Sequence, residues 1–228
     1  MIHELQLKDG IPAPLANCCS LVETWAEEGS SSGLIQLSMI NEVERMSCEH
    51  RSYDDATLLS AVQSTVLLLI ILLFAGGAQP ALPVDQAVRL LIVMREMKHR
   101  LAGTGLFLEQ EIRHLSPKWA EWAIVSAKRR TILALHHIEW AWCVLNGYPE
   151  LICLELGPLP TPAPKHLWQE QNERVWDASY QKWRAHWKGG YYAMAKLFPI
   201  QAGAELDVRT ESWLAEADEY GLMIMAEG

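Results

Sequence analysis

Hydrophobic positions recur along this chain with the 3.6-residue spacing of α-helices, and no stretch keeps the two-residue alternation of a half-buried strand. Leu34, Leu37, Ile40 and Val43 predict a helix over 34–48, with Glu42, Glu44 and Arg45 on its wet side. The polar stretch 49–55 ends it, and Asp54-Asp55 stand where a side chain would cap the next helix. That next helix, 56–75, is the most apolar of the chain. Pro80 and Pro83 close the following loop. Over 84–101, Ala87, Val88, Leu91, Met94 and Leu101 form one side, and Arg89, Arg95, Glu96, Lys98 and Arg100 the other. Gly103 and Gly105 stop it, and a short helix is expected within 106–115.

The longest expected helix covers 116–146. Ser116 reads as its cap, Pro117 as its first helical residue and Gly147 as its stop. Trp119, Trp122, Ile132, Leu133, Leu135, Ile138, Trp142 and Leu145 give it a broad buried side, and at 1.5 Å per residue it would be about 45 Å long, the spine of the fold. Five prolines between 149 and 164 then forbid a regular helix, so 148–165 should run extended across the surface. A helix over 166–188 carries Asn172, Trp176, Tyr180, Trp183 and Trp187 on one stripe, and Gly189-Gly190 ends it. A last helical pair is expected at 191–198 and 210–226. Before position 34 the chain reads as loops around one short helix at Leu21, Val22 and Trp25, with a flexible Ser/Gly connection at 29–33.

These elements predict an all-α, multi-helix orthogonal bundle with a long central helix and a proline-rich surface segment. Residues 1–33 would be a flexible N-terminal segment and 34–228 the helical domain. One ambiguity attaches to 56–84, which carries no charged residue. A membrane-spanning helix needs about 20 mostly apolar residues. Ser60, Gln63, Ser64 and Thr65 interrupt the run, however, and no aromatic or basic anchor flanks it, so a buried core helix is the better reading.

Composition narrows the function classes. The net charge is −9, and no basic run exceeds Lys128-Arg129-Arg130, which argues against direct nucleic-acid binding by this chain. The five cysteines (Cys18, Cys19, Cys48, Cys143, Cys153) are scattered without a C-x₂-C pair, which fits a reducing compartment and no zinc cluster. The first residues show no apolar leader.

Candidate chemistry is sparse. Arg129-Arg130 could meet an effector, DNA or a carboxylate across the fold, but the favoured reading is a helix-surface pair whose guanidinium forks bond a neighbouring acid and backbone carbonyls. His136, Glu139 and Cys143 share a helical face, yet no further ligand follows at metal spacing. The aromatic stripe 176–187 reads as core before it reads as a stacking platform for a ligand. Asp54-Asp55 lack the third acid of a diphosphate site, and neither a phosphate-cradling glycine pattern nor a nucleophile elbow occurs. No catalytic, cofactor-binding or metal residue is assigned, and the chain is not expected to be an enzyme.

Ordered motifs in the second half do resemble a known family. Ser126–Trp140 (SAKRRTILALHHIEW), Asn146–Leu151 (NGYPEL), the leucine-proline stretch Glu155–Trp168 (ELGPLPTPAPKHLW) and W-x₃-Y-x₂-W from Trp176 to Trp183 are similar, in that order, to the fungal-specific transcription factor domain. Ala61-Val62-Gln63 resembles an earlier helix of that family. The resemblance covers roughly residues 34–198. It implies an all-helical regulatory domain that acts in the nucleus (cytoplasm being the alternative) through other transcription proteins or a homodimer, with a small-molecule effector held between helices. The family's six-cysteine DNA-reading module has no counterpart here, so the resemblance carries over no DNA contact, cofactor or membrane association. The rival expectation is an enzyme or ligand-binding protein on the same scaffold, acting on a secondary-metabolite type of substrate.

Overall fold

The structure is a computed structural model that describes residues 1–28, 33–75, 82–149, 154–187, 189–200 and 203–225. It is all-α: the described residues hold ten α-helices and no strand. They are α1 (Ala13–Glu28), α2 (Gly33–Glu49), α3 (Asp55–Phe74), α4 (Val84–Gly103), α5 (Glu109–Ile112), α6 (Trp119–Leu145), α7 (Lys165–Trp168), α8 (Glu173–His186), α9 (Val208–Glu216) and α10 (Glu219–Met225). Two compact units result. One contains residues 6–104 and 134–151, the other 1–5, 105–133 and 152–228, so α6 contributes its second half to the first and its first half to the second. Residues 29–32 of the Ser/Gly connection and Cys153 lie outside the described residues, and Gly33 is the first residue of α2.

In the first unit, α1, α2, α3 and α4 pack on one another. The helix α1 replaces most of the loop expected before position 28. Its two prolines, Pro12 and Pro14, fall before and within the first turn, where an N–H has no intrahelical partner to lose, so they start the helix rather than break it. On α2 the buried residues are Ile35, Met39, Ile40, Val43 and Met46, so Ile40 and Val43 lie inside as expected, while the expected Leu34 and Leu37 face out. Two overlapping apolar stripes exist in this segment, and tertiary packing chose the second.

The apolar helix α3 is the core of this unit. Asp54 caps it, accepting from Thr57 N at 2.8 Å. It is long and apolar enough to cross a membrane by length and composition, and 67% of its most apolar window is buried inside the protein. Its polar residues are satisfied internally. Ser60, Ser64 and Thr65 donate to carbonyls one turn back at 2.8–2.9 Å, and Gln63 exchanges two amide hydrogen bonds with Gln6. The expected wet side of α4 is partly dry: Lys98 is buried, and Arg100 reaches the carbonyls of His50 and Tyr53 at 2.8 and 3.0 Å. Arg100 thereby ties α4 to the turn that links α2 and α3.

The second unit is built on aromatic side chains. The helix α6 starts at Trp119, and Ser116 bonds Asp177 at 3.4 Å instead of capping it. With 27 residues it is about 40 Å long. Its stop is as expected. Gly147 takes φ +70°, and Tyr148 N–H and Gly147 N–H return to the carbonyls of Cys143 and Val144, a Schellman closure. The helix expected over 166–188 is two helices, α7 and α8. Asn172, expected on the aromatic stripe, is instead the cap of α8 and accepts from Arg174 N and Val175 N. Residues 191–198 form only a 3₁₀ turn, Met194–Lys196.

The proline segment is more than a surface crossing. Leu154–Leu156 forms a 3₁₀ turn, and the chain then runs extended, bridging Pro160 to Ala193. Thr161 N bonds Tyr192 O, and Met194 N bonds Leu159 O, each at 2.8 Å. Prolines at every second position place Pro160, Pro162 and Pro164 on one buried side, beside buried Leu156 and Leu159.

Candidate functional site

The Arg-Arg pair of α6 lies inside the second unit, with Arg129 and Arg130 almost fully buried. Arg129 holds Glu111 of α5 in a fork, Nη1 and Nη2 each donating to one carboxylate oxygen at 3.2 and 2.5 Å, and its Nε donates to Leu106 O at 2.7 Å. Arg130 donates from Nη1 to Asp218 at 2.6 Å and from Nη2 to Ala163 O at 3.3 Å. Its guanidinium lies 4.2 Å from the Trp168 ring and 5.0 Å from that of Tyr220. The expected partners, a neighbouring acid and backbone carbonyls, are therefore present. The expected place, the helix surface, is not: loops and helices from four parts of the chain cover this turn of α6.

A cleft opens beside the pair within the same unit. Its empty space, open mouth included, is about 800 Å³, and the room open to the centre of a water molecule is about 50 Å³. One water needs roughly 10–15 Å³ on the latter measure, so the cleft holds a handful of waters or one ring-sized molecule. Trp122, Tyr180, Trp183, Trp187, Tyr191, Tyr192 and Trp213 supply its aromatic walls, and Pro160–Pro164 one rim. Trp183 and Trp187 stack at 5.9 Å, and Tyr192 meets Trp187 edge-on at 5.8 Å.

Its charged lining comes from Arg129, Arg130, Arg184, Glu111 and Glu216, and His114, Ser126 and Thr161 add polar groups. Trp213 Nε1 donates to Pro162 O at 3.0 Å, and Trp183 Nε1 donates to Glu216 at 3.1 Å. Arg184 Nη1 donates to His114 O at 3.2 Å, and among the described residues Arg184 has no acidic partner. Two donors on these walls, Trp187 Nε1 and Arg130 Nε, are buried without an acceptor. Burial, then the charge of Glu111, push the Tyr180 phenol above the ordinary tyrosine range against the opposing arginines 129 and 184, so it stays neutral.

The other candidates fall elsewhere. Glu139 is bound by Arg95 at 2.5 Å. Burial and then the neighbouring Glu139 raise the Cys143 thiol against the opposing Arg95. Among the described residues no cluster of three His, Cys, Asp or Glu side chains could hold a metal ion. Asp54 is a helix cap, as expected. On the aromatic stripe Trp176, Tyr180 and Trp187 are buried, and Tyr180, Trp183 and Trp187 line the cleft. The residues missed from sequence are the partners Glu111 and Asp218 and the cleft charges Arg184 and Glu216. Glu111 and Asp218 lie 18 and 88 positions from the arginines they bind, and Arg184 and Glu216 sit on α8 and α9 with no spacing that marks them, so no local pattern exposes them. No protein-family profile, curated protein or solved structure matches this chain.

Proposed function

We propose that this chain is a regulatory domain of the fungal transcription factor type, acting in the nucleus through contact with other transcription proteins or a second copy, and responding to a small molecule held in the aromatic cleft. One observation carries the reading. Three stretches that mark the resemblance, Arg129-Arg130, the leucine-proline segment and the W-x₃-Y-x₂-W helix, are far apart in sequence and converge on a single cleft. The acidic net charge and the absence of a basic run longer than Lys128-Arg129-Arg130 fit a role without phosphate contact by these residues.

The same cleft would serve the rival enzyme reading. Its two carboxylates are engaged, Glu111 by Arg129 and Glu216 by Trp183, which favours binding over general acid–base chemistry. Fusing the full chain to a heterologous DNA-binding domain tests the proposal in a fungal reporter strain. The fusion should change reporter output relative to the DNA-binding domain alone. Unchanged output, or tight duplex-DNA binding by the unfused chain at physiological salt, would overturn it.

A further inference from the structure

We propose that the aromatic cleft binds a small, single-ring or indole-sized aromatic carboxylate, whose ring lies against Trp183 and Trp187 and whose carboxylate is taken by Arg184. The inference deepens the regulatory reading by naming the ligand class, and it rests on that reading only for what binding is used for. Size comes first. Room for a handful of waters suits one ring or a fused pair inside the cleft. The walls come second, since seven aromatic side chains offer faces and edges to a flat partner.

Charge decides the rest. Arg129 and Arg130 line the cleft but are each paired to an acid, so they set its shape without offering free charge. Arg184 is half-buried, lines the same wall, and among the described residues bonds only a carbonyl. Trp187 Nε1 and Arg130 Nε are buried donors with no acceptor. These two atoms are sealed from water, so Arg184 is the donor that carries the argument, and it suits an acceptor-rich, negatively charged group. Glu216 opposes such a ligand. It lines the cleft, and its bond from the neutral Trp183 indole brings no countercharge, so its carboxylate repels an acid's.

Titration calorimetry on the full chain tests this with benzoate and indole-3-carboxylate against their neutral carboxamides. Each acid should bind about ten-fold or more tightly than its amide, the difference expected of a charge-assisted hydrogen bond. Arg184→Gln should erase that preference while leaving amide binding in place, with an unchanged far-UV circular dichroism spectrum. Glu216→Gln should strengthen acid binding about two- to five-fold by removing a like charge, and this arm reads the same proposal should the arginine variant fail to fold. No binding of any probe at millimolar concentration, amides that match the acids, or a folded Arg184→Gln protein that keeps the preference would each overturn it. The reporter fusion scores the regulatory reading separately, so either can fail without the other.

Discussion

At the scale of single residues, the second unit depends on buried charges that are held rather than free. Asp218 shows why. One carboxylate oxygen takes Arg130 Nη1 at 2.6 Å, and the other takes the Gly221 N–H of α10 at 2.9 Å. Truncating it strands a guanidinium that cannot lose its proton, so Asp218→Ala should destabilise the protein by about 3–5 kcal/mol. The double variant Arg130→Leu/Asp218→Ala should cost less than the sum of its parts, which urea denaturation of the four proteins checks. Exposed carboxylates behave differently. Asp207 caps α9, bonding Thr210 N and Arg209 N, and these bonds hold its carboxyl below the ordinary 3.8. A depressed folded-state value means that the contribution is complete above the ordinary carboxylate range and disappears as pH falls through the depressed one. Asp207→Asn should therefore flatten the acid limb of the stability–pH curve while changing little on its neutral side.

At the scale of elements, the sequence showed best those helices with one dominant apolar stripe and an unambiguous stop. The bounds of α3 and α4 fall within two residues of those expected, and Gly147 closes α6 as predicted. The break between α7 and α8 was invisible because the tryptophan periodicity runs straight through it. What breaks the helix is competition for the backbone: Asn172 bonds the N–H groups that follow it, and that local alternative won over a continuous stripe. Two substitutions separate the contributions. Asn172→Ala should lower stability by about 1 kcal/mol, the usual loss for a helix cap. Trp122→Ala should cost about 3–5 kcal/mol, because that ring is 1% exposed and touches Trp168, Trp176 and Tyr180. Thermal and urea melts that rank these losses in the opposite order would show that capping, not aromatic packing, sets the place of α8.

At the scale of the whole molecule, each of the two compact units has its own kind of core. One is aliphatic around α3, with its polar groups bonded within the helix or to a near neighbour. The other is aromatic and cationic around the first half of α6, and it alone contains the cleft. The sequence by itself determined the all-α class, the positions of most helices and the burial of the 56–75 segment, because hydrophobic periodicity, capping residues and glycine stops act over a few residues. Only the tertiary structure decided which apolar face of α2 turned inward, that the proline segment buries one side, and that Arg129 and Arg130 lie inside rather than outside. Those outcomes depend on partners far along the chain, up to the 88 positions between Arg130 and Asp218. A buried charge is tolerable only where its counter-charge arrives, and no local spacing encodes that arrival.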